Sequence, residues 1–179
     1  LRTLVADAME PVLKPLVYRD PLHLVERHRA VGEPAYIVSA TLQEIVDELA
    51  RELGFDGALG SRCEIADGVY TGRAERPCHG EGKAAAVRDF AAAQGLDLGG
   101  STAYSDSHTD LPFLEAVGKP VAVNPDRQLR RVASARGWPV LQFSELAYPA
   151  PVRRLRPLAA AVSLLALTLA AVLAVRRAA

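Results

Sequence analysis

Residues 101–114, Ser-Thr-Ala-Tyr-Ser-Asp-Ser-His-Thr-Asp-Leu-Pro-Phe-Leu, decide how the chain is read. A short run of small and β-forming residues, Ser101 to Tyr104, ends in a polar loop with two carboxylates four positions apart, Asp106 and Asp110. The loop runs into an apolar helical stretch, Leu111 to Val117, which Gly118 stops. This is the pattern of a strand whose carboxyl end turns through acidic residues into a helix, and in open α/β sheets ligands bind at such strand ends. Hard carboxylate oxygens in that position suit Mg²⁺, which takes one or two carboxylates and completes its shell with water and phosphate. His108, between the two carboxylates, reads as a solvent-facing loop residue.

The same grammar extends in both directions. Upstream, Ala35-Tyr-Ile-Val38 is a short buried strand that ends at Ser39. A helix follows, with Thr41 and Glu44 spaced as a capping box ahead of the stripe Leu42, Ile45, Val46, Leu49 and Leu53, and Gly54 closes it. Asp67-Gly68 between β-formers predicts a hairpin over about residues 58–74. Lys83 opens a helix running to Ala93. Downstream, Pro120 to Val123 is a strand ending at Asn124-Pro125, Asp126 caps a helix that Gly137 closes, and Pro139 to Phe143 is a last strand. Residues 1–33 carry two helical stripes, one from Leu4 to Leu16 and one from Leu22 to Ala30. Alternating strands and helices predict an α/β chain with a mainly parallel sheet. Ser39, the Asp106–Asp110 loop and Asn124 then converge on one edge.

Three side-chain types there have a shared chemistry. A serine hydroxyl beside free N–H groups at a helix start, as at Ser39, can hold an anion. Of the 21 basic residues, 18 are Arg, so the lysine at a helix start, Lys83, reads either as a compact point charge placed for chemistry or as an ordinary solvated surface lysine. An ammonium beside phosphate oxygens would neutralise the charge that develops in phosphoryl transfer. Cys78-His79 is not a thiol–base pair on this reading, because adjacent side chains diverge and no third group orients them. The two cysteines, Cys63 and Cys78, build no disulfide framework. A formal net charge of zero gives no electrostatic basis for binding nucleic acid.

In order along the chain, five segments together resemble one family. They are Ile37-Val-Ser-Ala-Thr41, Asp67-Gly-Val-Tyr-Thr-Gly72, Cys78-His-Gly-Glu-Gly-Lys83, Tyr104 to Leu114, and Val121-Ala-Val-Asn-Pro-Asp126. The family is the phosphoserine-phosphatase-like subfamily of haloacid-dehalogenase-type hydrolases, and the resemblance covers about residues 10–143. It implies a Rossmann-like core, a small phosphorylated metabolite as substrate, and a phosphoaspartyl mechanism with Mg²⁺. Under it Ser39 is the phosphate-binding hydroxyl and Lys83 the lysine that bridges phosphate and nucleophile. Asp106 is the Mg²⁺ ligand, Asp110 the acid that positions Lys83 or a metal-bound water, and Asn124 a polar residue at the substrate. The family's nucleophile sits in an Asp-x-Asp pattern on the first strand, and no Asp-x-Asp occurs in this sequence. The expected domain plan is a remnant of a helical cap at 1–33 and an α/β core at 34–147 without its first strand, which leaves an apolar sheet edge open. The expectation is therefore a fragment of such a phosphatase that lacks the nucleophile motif, and the competing expectation is a catalytically inactive, membrane-tethered binding or scaffold protein.

Beyond a Pro/Arg linker at 148–157 lies Leu158 to Val175, 18 residues without a charge and flanked by arginines. At about 1.5 Å per residue a helix of that length spans ~27 Å, close to a hydrocarbon core. The expectation is a single transmembrane helix at 158–175 that anchors the chain in a lipid bilayer, with the catalytic side in the cytoplasm from the three-to-two arginine bias.

Overall fold

The computed structural model describes residue 17, residues 19–144 and residues 171–177. The expected helix from Leu4 to Leu16 and the linker at 148–157 lie outside these residues.

Helix α1 (Arg19–Ala30) leads into strand β1 (Ala35–Leu42), helix α2 (Gln43–Leu53) and the antiparallel pair β2 (Gly57–Ala66) and β3 (Val69–Arg76). Helix α3 (Glu81–Gln94) and strand β4 (Leu96–Ser105) follow. A 3₁₀ turn (His108–Asp110) then enters the short helix α4 (Leu111–Glu115), and β5 (Lys119–Val123), α5 (Arg127–Arg136) and β6 (Val140–Leu141) complete the alternation. A final strand, β7, covers Val172–Arg177.

Most local signals act as the residues dictate. Gly54 and Gly137 end α2 and α5 in the left-handed conformation, donating to the last free carbonyls. Asp67 (φ 51°) and Gly68 (φ 78°) are both left-handed, which is the two-residue turn that matches strand twist. The Thr41–Glu44 box does not form. β1 continues through Leu42, which stands at the N-cap without a side-chain bond, and the Thr41 N–H donates to Ser39 Oγ at 3.1 Å.

The seven strands make one sheet in the order β3-β2-β1-β7-β4-β5-β6. β1 runs parallel to β2, and β4, β5 and β6 run parallel to one another. Between these blocks lies β7, antiparallel to both neighbours: Leu173 faces Tyr36 and Ala103, and Ala174 faces Ala35 and Thr102. Ala171, Leu173, Ala174 and Val175 are all buried. Leu173 and Val175 join the main core with Val38, Val87, Phe113, Leu114 and Leu129, while Val172 packs beside Tyr104, Val121 and Val123.

This overturns two expectations. Residues 172–175 are strand, not the end of a transmembrane helix, and among the described residues no helix is long and apolar enough to cross a membrane. The bilayer as partner and the membrane localisation fall with it; residues 158–170 lie outside the described part. The open central edge is likewise filled, by β7. The physical reason is common to both. A run apolar on every side satisfies a helix in lipid and a strand buried on both faces of a sheet equally well, and periodicity does not separate them. The gap between β1 and β4 offers two rows of backbone N–H and C=O groups that a strand satisfies and a helix cannot.

Candidate active site

The carboxyl ends of β1 and β4 and the first turn of α3 meet at one edge of the sheet. Ser39, fully buried, ends the hydrophobic part of β1. Gly80 precedes α3 and brings Lys83 inward, where it is only 3% exposed. Ser105 closes β4, and the loop after it carries Asp106 and then Asp110, itself 5% exposed.

Lys83 and Asp110 form the centre. The Lys83 ammonium lies 2.7 Å from each carboxylate oxygen of Asp110. Ser105 Oγ donates to Oδ2 of the same carboxylate, also at 2.7 Å. The Phe113 ring centroid lies 5.9 Å from Lys83 Nζ, adding a cation–π contact from the next helix. A buried ion pair holds only where hydrogen bonds satisfy both charges. Among the described residues no buried side-chain N or O lacks a partner.

Cys78 ties Ser39 to this pair. Burial pushes its thiol up to about 11; against that act the Lys83 charge and a backbone hydrogen bond with Ser39, while Asp110 pushes further upward. A thiol so protonated is no nucleophile at neutral pH. Asp106 is half-buried at the rim. Burial, and then the charge of Asp110, raise its carboxyl to about 6, against its own backbone N–H and the Lys83 charge.

Ser39, Lys83, Asp106 and Asp110 are therefore brought to one place. Asn124 is committed elsewhere: at φ 43°, its amide donates to Phe143 O at 2.9 Å and accepts from Phe143 N at 2.8 Å, joining the ends of β5 and β6. His108 is half-buried, and its N–H donates to Asp126 Oδ2. Sequence reasoning missed Ser105. No sequence signal singled it out: its role as a donor to Asp110 follows only once that carboxylate is known to be buried against Lys83.

An ammonium, hydroxyls and carboxylates gathered at the strand ends of an α/β sheet can together hold and neutralise an oxyanion. A family model described as haloacid dehalogenase-like hydrolase matches residues 1–115. The chain belongs to that family, among its phosphoserine-phosphatase-like members. It is 47% identical over 144 residues to a probable phosphatase of Mycobacterium tuberculosis, covering 80% of this chain and 50% of that protein. It is 40% identical over 138 residues to phosphoserine phosphatase SerB1 of the same organism, covering 76% of this chain and 45% of that one. A crystal structure from Bordetella pertussis Tohama I, of a protein of unknown function, superposes with a TM-score of 0.72 at 37% identity, covering 78% of this chain and 64% of that one. The chain spans about half the length of the two mycobacterial relatives.

Proposed function

We propose that this chain is a phosphatase acting on a small phosphomonoester, with Mg²⁺ held at Asp106. The observation that carries the reading is the buried Lys83–Asp110–Ser105 network at the strand ends, with Asp106 and Ser39 beside it. Relatives described as a probable phosphatase and as a phosphoserine phosphatase support it.

Each residue then has a task it can perform. Hydrolysis breaks the ester P–O bond as a bond from phosphorus to a water oxygen forms, the alcohol leaves with a proton from that water, and negative charge builds on the phosphoryl oxygens in between. The Lys83 ammonium meets that charge without reorganising, because Asp110 and Ser105 already fix it. The Ser39 hydroxyl donates to a second phosphate oxygen. Among the described residues no group of three or more His, Cys, Asp or Glu forms a closed metal cage. One carboxylate at the rim, with water and substrate oxygens, is how Mg²⁺ is commonly held, and a carboxyl raised by burial is where a cation relieves the cost of ionisation. Bound there, Mg²⁺ would supply positive charge to the phosphate oxygens. With no Asp-x-Asp carboxylate in this sequence, the phosphoryl acceptor in this reading is water rather than an aspartate.

The test is phosphate release from p-nitrophenyl phosphate. Release that needs Mg²⁺ and disappears with chelation or with Asp106→Asn is expected. Hydrolysis indifferent to both would remove the metal from the reading, and inorganic phosphate failing to bind at all would remove the site.

Stability gives a second expectation. Folding favours the protonated form of Asp106, so stability present below the ordinary 3.8 is lost as pH rises through about 6. A shift of that size corresponds to ~3 kcal/mol, which solvent around a half-buried group reduces to about 1–2 kcal/mol. Without metal, Asp106→Asn should melt about 2–8 °C above the parent chain at pH 8. The gap should close by pH 4. Thermal melts at the two pH values decide it, and a gap independent of pH would contradict the assignment.

A further inference from the structure

We propose that Asp126 is a positioning residue for the acidic loop: it sets where Asp106 stands, in addition to capping α5. The inference rests on the reading of Asp106 as the Mg²⁺ ligand.

An ordinary N-cap aspartate needs one oxygen. Here Oδ1 accepts from Gln128 N at 2.9 Å and Leu129 N at 2.7 Å, which completes the cap. Oδ2 does something a cap does not require. It accepts from His108 N at 2.7 Å, across 18 residues of sequence. The backbone N–H of Asp126 itself donates to Asp106 O at 2.8 Å. One residue therefore grips the loop on both sides of Ser107, by a carbonyl before it and an amide after it.

The grip has a firm base. Leu129 and Ala133 of α5 are fully buried in the main core, so the first turn of that helix is fixed against the sheet. Other bonds of the outer half stay within the loop: Ser107 N donates to Ser105 Oγ at 3.3 Å, Asp110 N to Ser107 O at 3.1 Å and Thr109 N to Ser107 Oγ at 3.3 Å. The inner half is held by Ser105 and Asp110. Asp106 sits between the two anchors, so losing the outer one frees the carboxylate to move relative to Lys83. Partners that orient a ligand in this way change metal affinity by about 10–100-fold.

The two oxygens of Asp126 allow the roles to be separated. Asp126→Asn keeps one oxygen for the cap and turns an N–H₂ toward the His108 N–H, which breaks the loop bond. His108→Pro removes the donor and leaves the Asp126 charge in place. It suits the backbone, because residue 108 opens a 3₁₀ turn and Ser107 is extended (φ −110°, ψ 137°), as a residue before proline must be. His108→Ala keeps the N–H and serves as the control.

The experiment is Mn²⁺ titration of the full chain by electron paramagnetic resonance, with amide exchange at residues 106–109 and thermal melts. Expected are a roughly 10-fold loss of Mn²⁺ affinity and faster loop exchange in both Asp126→Asn and His108→Pro, melting within about 2 °C of the parent, and no change in His108→Ala. Parent-like exchange in both variants overturns the proposal, and so does parent-like Mn²⁺ affinity. If the parent chain binds no Mn²⁺, the metal reading of Asp106 fails by itself, and the exchange data alone then decide whether Asp126 holds the loop.

Discussion

Asp110→Asn should destabilise the chain by about 3–5 kcal/mol, and Lys83→Met by a similar amount. Each removes one charge from a pair that is almost wholly shielded from water and leaves the other without its counter-ion. The loss is larger for Asp110, whose Oδ2 also receives the Ser105 hydroxyl. Replacing both partners by apolar residues, Lys83→Met with Asp110→Val, should recover part of that loss, the remainder reflecting the Ser105 hydroxyl that loses its acceptor. The desolvation cost of two charges then disappears along with their attraction. Urea denaturation of the three variants reads the pattern directly. Under the proposed function none of them hydrolyses phosphomonoesters, so the double variant would be stable and inactive. Single variants that each cost under about 1 kcal/mol would show that the pair is solvated and cannot preorganise a phosphate site.

Leu173→Ala carries the second large effect. Leu173 is fully buried at the middle of β7, between Tyr36 and Ala103, and belongs to the main core. Truncating a leucine in such a place costs about 2–5 kcal/mol, and the upper part of that range is expected, because strands on both sides hold the backbone and keep the cavity from collapsing. The half-exposed edge residue Val140 provides the contrast, and its alanine variant should change stability by at most ~0.5 kcal/mol. Urea midpoints measure both. Had residues 158–175 been a helix in lipid, Leu173→Ala would leave the stability of the α/β domain nearly untouched, so equal midpoints for Leu173→Ala and the parent would remove β7 from the sheet.

The parts of the fold legible in the sequence were those written in local chemistry. Asp126 caps its helix, Gly54 and Gly137 stop theirs, and Asp67-Gly68 turns its hairpin, since each acts through bonds within a few residues. The gathering of Ser39, Lys83, Asp106 and Asp110 was legible through order along the chain and family resemblance. No single signal among them was specific. Two things were not legible. Ser105 has no role until Asp110 is known to be buried, because a serine at a strand end has many uses. The placement of Val172–Arg177 depends on a gap between β1 and β4, a feature of the whole sheet that leaves no trace in the segment that fills it. Asn124 was drawn in by its place at a strand end, and what the sequence does not reveal is that its amide bonds the backbone of Phe143.

The order in which the elements are made does not match the order in which they lie. β7 comes last in the sequence and sits between β1 and β4. On a ribosome adding about 5–20 residues per second, the roughly thirty residues between β6 and β7 take some 2–6 s to appear. Among the described strands only β7 covers the inner edges of the β1–β2–β3 and β4–β5–β6 blocks, and until it pairs there those edges are the kind of surface that invites pairing with another nascent chain. The late arrival of β7 thus makes the joining of the two blocks a step that depends on the pace of synthesis between β6 and β7.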